Sequence, residues 1–161
     1  MSKLWKRAVF CFLPALLFLF SGCGRNAQEE TESGQAFEVY YLNREETTLS
    51  SETVYLDEEL TQDEQISALL TALQTAPEDV SLKASAGTSF QINGYKVDEG
   101  QLNIDGDESY RKLPATTEVL VRASLVRTFV QAEGINHILM TVAGESLTDT
   151  SGTAVGPMTA D

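Results

Sequence analysis

The first 23 residues are the feature that most limits what this chain can fold into. Lys3, Lys6 and Arg7 give the amino terminus a positive charge, and residues 8–20 contain no charged side chain. Small residues then precede Cys23. A basic start, an apolar stretch and a small-residue cleavage site are typical of a secretory signal. We therefore expect residues 1–22 to be removed, so that residues 23–161 alone take part in the fold.

The position of Cys23 also predicts a lipid anchor. Residues 20–23 resemble the lipobox of bacterial lipoproteins, in which Leu, a small residue and Gly or Ala precede an acylated cysteine. Phe20 departs from this pattern, because Leu is commonest at that place. Two acyl chains would hold the protein stably, at about 0.8 kcal/mol for each buried methylene. Two other interpretations stay open: a cleaved signal without lipid, and an uncleaved transmembrane helix, which normally needs about 20 apolar residues.

The mature chain is strongly acidic and has no cysteine pair for a disulfide. All 24 acidic residues follow Cys23, but three of the 11 basic residues lie in the signal, so 8 basic and 24 acidic side chains leave a formal charge of −16. Such a surface repels nucleic acid and anionic lipid. Cys11 lies in the signal, and the fold must therefore depend on its hydrophobic core. We expect a flexible acidic tether at residues 23–35 and a single domain at residues 36–161.

Hydrophobic patterning predicts seven elements in the order β-β-α-β-β-α-β. The expected strands are residues 37–42 and 52–56, a hairpin of residues 89–97 and 101–105 with Gly100 in its turn, and a last strand at residues 135–142. This order predicts an α+β fold, in which two helices pack on one face of a small mixed β-sheet.

Two helices are predicted, each with a recognisable start and end. Thr61 and Glu64 have the spacing of a capping box, and Pro77 ends the first helix. Its apolar stripe, spaced i, i+3, i+4 and i+7, consists of Ile66, Leu69, Leu70 and Leu73. The second helix is expected at residues 116–132, between Pro114 and Gly134. Apolar residues cover more than one of its sides, which indicates burial by the domain itself or by a partner.

In this order, the segments resemble the GerMN domain of sporulation and spore-germination lipoproteins. Residues 37–42, 66–77, 82–88 and 134–158 carry the resemblance. Within the last stretch, the first five residues match the family's "pGV-x-x-V" element closely. The chain departs from the family in two ways: Ala76 stands where a Gly usually precedes the proline, and one such domain is present where the best-known member has two.

The resemblance implies a fold similar to the ring-building modules of secretion and sporulation channels, and a non-enzymatic role. The chain would be a lipid-anchored module on the extracytoplasmic face of the bacterial cell membrane that helps to assemble an envelope complex in sporulation or germination. Its partners would be the membrane, through the lipid on Cys23, and an envelope protein or a second copy. A different class also stays open: a ligand-binding lipoprotein, or a cell-wall hydrolase that uses surface carboxylates.

No catalytic or cofactor site is predicted. His137 is the one histidine and is expected in the last strand, so the sequence lacks the candidates for a nucleophile–base pair or a zinc site. No feature singles out two carboxylates as a glycosidase-type pair, and no glycine-rich loop follows a strand. Cys23, as the lipidation site, is the single site residue that we predict.

A calcium loop is considered and not predicted. Asn103, Asp105 and Asp107 alternate as calcium ligands do, but Pro114 occupies the twelfth position, where a Glu is required. We expect these residues to lie at the exit of a hairpin and in the polar turn that follows it. No metal site is therefore expected.

Overall fold

The computed structural model of the chain describes residues 34–149 and 151–160. The predicted signal at residues 1–22 and the lipidation site Cys23 lie outside these residues. So does the predicted tether at residues 23–35, except for its last two residues, of which Gln35 already belongs to the first strand.

Strand β1, Gln35–Asn43, is the middle strand of a three-stranded antiparallel sheet. It pairs along its length with β2, Leu49–Leu56, and at its end with the two-residue strand β3, Leu82–Lys83. One face of an antiparallel sheet commonly packs on the core while the other faces water. Three alternate side chains of β1 accordingly lie in the core: Phe37, Val39 and Tyr41.

The other four strands form a second, mixed sheet. Strands β4, Ile92–Asp98, and β5, Gln101–Gly106, make a hairpin, and β5 pairs in parallel with β6, His137–Val142. A tight turn leads from β6 into the short β7, Glu145–Ser146. In the β4–β5 turn, Gly100 has a φ of 82°. This positive φ is the conformation for which the sequence predicts a glycine at that place.

Helix α1, Gln62–Gln74, begins at the capping box that the sequence predicts. The Thr61 hydroxyl accepts a hydrogen bond from the Glu64 backbone N–H at 3.4 Å, and the Glu64 carboxylate accepts one from the Thr61 N–H at 2.9 Å. Three residues of the predicted stripe are completely buried, namely Ile66, Leu69 and Leu73. The Tyr41 hydroxyl of β1 donates to the Ala72 carbonyl at 3.2 Å, which ties α1 to the core-facing side of the first sheet.

Helix α2, Ala115–Phe129, lies along the edge of β1 and takes the place of a strand there. Since β3 covers only the end of β1, no strand of residues 34–149 or 151–160 pairs with the backbone of Tyr40 on that side. Side chains of α2 supply the missing partners. The Thr128 hydroxyl accepts from the Tyr40 N–H at 3.1 Å, and the Ser124 hydroxyl donates to the Tyr40 carbonyl at 2.6 Å.

Gln131, two residues beyond α2, also pairs with the backbone of β1, at Glu38, two residues before Tyr40. Its Oε1 accepts from the Glu38 N–H at 2.9 Å, and its Nε2 donates to the Glu38 carbonyl at 2.7 Å. Ser124 and Thr128 are fully buried. Buried backbone groups need partners, because an unpaired one costs about 1–3 kcal/mol. These polar side chains are therefore part of the core rather than interruptions of it.

The α+β class and the order of the seven main elements are confirmed, but the strands and helices are arranged differently from the prediction. Two sheets replace the expected single sheet, because β1 pairs with β2 and β3 whereas β6 pairs with β5. Strand β3 and a 3₁₀ helix at Glu108–Lys112 are not foreseen in the sequence pattern.

We predict that Thr128→Val destabilises the fold although it preserves the shape of the side chain. The substitution removes the acceptor of the Tyr40 N–H, which should lower the free energy of unfolding by about 1–3 kcal/mol. Urea denaturation measures this change. Thr71→Val is the matched control, because Thr71 is exposed on α1 and its hydroxyl donates to the Ser67 carbonyl. A loss of the same size in both variants would contradict the role of Thr128.

Candidate interaction surface

The outward face of α2 carries an exposed apolar row. Ala115, Val119 and Ala123 follow one another at intervals of four residues, and Arg127 continues the row. Residues four apart lie on the same side of a helix. Val119 is 54% exposed and is one of three large apolar side chains that the described residues leave exposed. We use the name α2 surface for Ala115, Thr116, Val119, Leu120, Ala123 and Arg127.

The loop between β1 and β2 forms one wall of the α2 surface. Together with the first two turns of α2, it encloses an open groove of about 590 Å³, whose wall consists of Glu45, Glu46 and Thr47. Glu46 holds this loop in place, because the Lys83 ammonium and the hydroxyl of the buried Thr117 both donate to its carboxylate. Glu46 has a φ of 54°, a conformation that few residues other than glycine adopt. The contacts of its side chain fix the wall against the helix.

The electrostatic state of Glu46 follows from these contacts. The hydrogen bond from Lys83, and to a smaller extent the one from Thr117, lower the pKa of Glu46 below its ordinary value of 4.5. Burial opposes this shift but does not cancel it. The side chains of Glu46 and Lys83 are 28% and 33% exposed, so solvent screens the pair in part. The carboxylate therefore stays ionised at neutral pH and keeps both donors.

The end of the described chain forms the opposite wall of the α2 surface. Met158, Thr159 and Ala160 line a groove of about 360 Å³ against the middle of α2. Met158 is fixed by two backbone hydrogen bonds to Ile138 of β6, at 2.8 and 2.9 Å. Both walls are thus attached to the sheets, and the helix face between them is the part that stays open.

The charges on and beside the α2 surface are separated along the helix. Glu45 and Glu46 lie at its amino-terminal end, whereas Arg127 is exposed in the last turn of α2, with its guanidinium 5.5 Å from the centre of the Tyr40 ring. Arg122, at the margin of the second groove, has its Nε 3.6 Å from a Glu118 carboxylate oxygen. This buried Nε has no hydrogen-bond partner among the residues that the structure describes. The surface is therefore negative at one end, positive at the other and apolar between them.

Acidic residues elsewhere in the described chain act as acceptors for the backbone and for neighbouring side chains. Burial alone would raise the pKa of Asp105, but hydrogen bonds from Asn93, Thr141 and the Gly144 N–H lower it below its ordinary value. Asp107 caps the 3₁₀ helix by accepting from the Ser109 N–H at 3.0 Å. These carboxylates hold turns and strands together.

The structure also places the remaining residues that the sequence analysis weighed. Asn103 donates to the Lys96 carbonyl at 3.2 Å within the hairpin, and His137 is exposed at the start of β6. Within residues 34–149 and 151–160, no group of three His, Cys, Asp or Glu side chains could hold a metal ion. Across the same residues, none of the helices is long and apolar enough to span a membrane.

Comparison with known proteins agrees with this fold. A family model described as "Germane: Sporulation and spore germination" matches residues 38–148, from within β1 to just beyond β7. This chain belongs to that family. The resemblance to GerMN domains that the sequence motifs indicate is therefore confirmed. No curated protein sequence matches the chain.

Two solved structures are similar in fold to this Germane-family chain. The tandem GerMN domains of the sporulation protein GerM from Bacillus subtilis share 18% identity with it at a TM-score of 0.57, over 86% of this chain and 50% of that one. The first GerMN domain of the same protein shares 16% identity at a TM-score of 0.59, over 78% of this chain and 96% of that domain. The chain thus spans about half of the tandem structure, and the likeness at this identity concerns the fold alone.

Sequence reasoning draws attention to helix α2 but names no residue of this surface. The wide apolar pattern of α2 indicates burial on more than one side. The structure buries four of these side chains within the domain: Val121, Leu125, Val126 and Phe129. The pattern does not show that Val119 stays exposed, because that depends on where β1 lies. The role of Glu46 leaves no local signal, since its partners Lys83 and Thr117 are distant in sequence.

We expect Glu46→Gln to lower the free energy of unfolding by about 1 kcal/mol at neutral pH, because the amide pairs more weakly with Lys83. A carboxyl group whose pKa is lowered by folding stabilises the fold at pH values above its unfolded-state pKa. This stabilisation is lost as the pH falls through the folded-state pKa. The difference between the variants should therefore shrink as the pH drops below 4.5. Urea denaturation across this range measures it, with Glu45→Gln as the control. A difference that grows on acidification would contradict this account.

Proposed function

We propose that this chain is a lipid-anchored module on the extracytoplasmic face of the bacterial membrane, which takes part in sporulation or spore germination. It acts without catalysis, by binding a protein of the envelope or another copy of itself through the α2 surface. The observation that carries this proposal is Val119, a half-exposed apolar side chain on a helix whose two flanking walls are both fixed. Membership of the Germane family supports the setting.

The geometry of the α2 surface supports protein binding rather than small-molecule binding. Small-molecule sites are concave and bury most of their ligand, whereas the two grooves here are open and share the protruding Val119 as a ridge. Protein interfaces gain affinity when their contact residues are held in place before binding. The Glu46 contacts and the Met158–Ile138 backbone bonds supply that rigidity.

Glu46 and Asp105 lack the pKa that the hydrolase alternative requires. A general acid needs a pKa raised towards neutrality. Glu46 and Asp105, both engaged by hydrogen bonds, have pKa values lowered instead. We therefore propose an interaction module and no enzymatic activity.

The proposed anchor suits such a role. The twelve residues 24–35 follow Cys23, and a chain of this length spans at most about 40 Å. A domain held that close to a bilayer meets membrane-bound partners at a high local concentration. The acidic surface itself has no attraction for anionic lipid, so the lipid on Cys23 would be the sole attachment.

We predict that Cys23→Ser transfers the protein from the membrane fraction to the medium. The attachment should resist high salt, because acyl chains rather than charges provide it. Cell fractionation followed by mass spectrometry of the mature amino terminus measures both the location and the modification. An unsubstituted chain that leaves the membrane at high salt, or carries an unmodified Cys23, would contradict the proposed anchor.

We predict that Val119→Glu abolishes function while the fold stays intact, because it places a charge at the centre of the apolar row. The test replaces the native gene with the variant in the bacterium that carries this chain, and then counts heat-resistant spores and germinating spores. Val80→Glu is the control of equal chemistry, because Val80 is 77% exposed outside the α2 surface. Normal counts for Val119→Glu, with unchanged urea stability, would contradict the proposed use of this surface.

A further inference from the structure

We infer that the α2 surface pairs with the α2 surface of a second copy of this chain, antiparallel and about a two-fold axis near Val119. The inference rests on the proposed function and specifies its partner and geometry. Two-fold pairs need a surface that is complementary to itself. The sequence of α2 and the charges at its two ends meet this requirement.

The apolar row allows close helix packing. Rows of residues four apart form the ridges that interlock when two helices cross, at axis separations of about 8–10 Å. With Val119 on the axis, an antiparallel partner places its Ala123 opposite Ala115. Both alanines belong to the grooves, one on each side of Val119. Side chains this small let the two backbones approach while the Val119 pair fills the centre.

Charge favours the antiparallel direction. Arg127 marks the carboxyl-terminal end of the α2 surface, and Glu45 and Glu46 mark its amino-terminal end. In an antiparallel pair, each Arg127 therefore lies near the acidic loop of the other copy. In a parallel pair, like charges would face one another, which is unfavourable. The acidic residues beside the α2 surface lie at one end only, so an antiparallel pair keeps the acidic loops of the two strongly acidic chains apart.

The size of the contact explains why the membrane would matter. Stable dimers bury about 1,200–2,000 Å² in total, which is more than one face of a 15-residue helix provides. The pair should therefore be weak in dilute solution. Anchoring both copies in one membrane raises their effective concentration without any added contact. The weak pair and the proposed anchor thus depend on each other.

Disulfide cross-linking in the membrane tests the register. The full-length lipoprotein is produced as Val119→Cys, Ala115→Cys or Ala123→Cys, and the membranes are mildly oxidised. The Val119→Cys variant should form disulfide-linked dimers with itself. The two-fold axis brings the two copies of this residue together, and a disulfide joins Cα atoms about 4.4–6.8 Å apart. Ala115→Cys and Ala123→Cys should form dimers only when the two variants are produced together. In the antiparallel pair, each of these positions lies about 12 Å along the helix axis from the same position in the other copy. The unsubstituted chain and Lys96→Cys are the controls.

Charge reversal tests the direction independently of folding. In a two-fold pair, the contact between Arg127 of one copy and Glu45 of the other occurs twice. Arg127→Glu and Glu45→Arg should therefore each lower the fraction of Val119→Cys that forms dimers about tenfold. The double variant should recover most of the unsubstituted level. Glu45 is chosen because Glu46 holds the loop. Failure of the double variant to recover, while each single variant is well folded, would overturn the antiparallel arrangement.

The outcomes separate this inference from the proposed function. If Val119→Cys cross-links to a different envelope protein and never to itself, the interaction surface stands and the two-fold pair is wrong. If Ala115→Cys forms dimers alone, the helices are parallel and the inference is overturned. If Val119→Cys yields no cross-link and Val119→Glu sporulates and germinates normally, both the inference and the proposed function fail.

Discussion

The hydrogen bonds between the backbone of β1 and the side chains of Ser124, Thr128 and Gln131 determine how the rest of the molecule is arranged. A β-strand edge that is left uncovered inside a protein must find donors and acceptors elsewhere. Here a helix supplies them, and its rotation is thereby fixed. At 100° per residue, Val119 lies about 140° around α2 from Ser124, so that satisfying the strand turns Val119 outward. The exposed row is thus a consequence of how the core is completed.

The same arrangement holds the outward face of α2 between two fixed walls. Thr117 lies on the inner side of α2 and is buried. Its hydroxyl donates a hydrogen bond to the Glu46 carboxylate, which holds the β1–β2 loop beside the helix. On the other side, the backbone pairing of Met158 with β6 brings the end of the chain against α2. Few degrees of freedom remain to be lost on association. A modest apolar contact can then be sufficient when a membrane limits how far the copies separate.

The parts of this structure that the sequence predicts are those that depend on near neighbours. The capping box of Thr61 and Glu64, the turn at Gly100 and the stripe from Ile66 to Leu73 follow from spacings of one to seven residues. The division into two sheets could not be predicted, because it depends on which distant strand β1 meets. Ser124 and Thr128 did carry a signal, since two hydroxyl residues four apart in an apolar helix indicate a buried polar contact. Their partner, the Tyr40 backbone, lies more than 80 residues away and remained unknown.

The central claim is that protein covers the outward face of α2 in the cell. The solvent accessibility of this face in the membrane-bound state tests that claim most directly. Hydroxyl-radical labelling of the membrane-bound lipoprotein and of the same protein dispersed in detergent, read by mass spectrometry, compares the two states at each side chain. The account predicts that labelling of Val119 and Met158 falls severalfold in the membrane, whereas Val80, which is 77% exposed outside the α2 surface, is labelled equally in both. Equal labelling of Val119 in both states would contradict it.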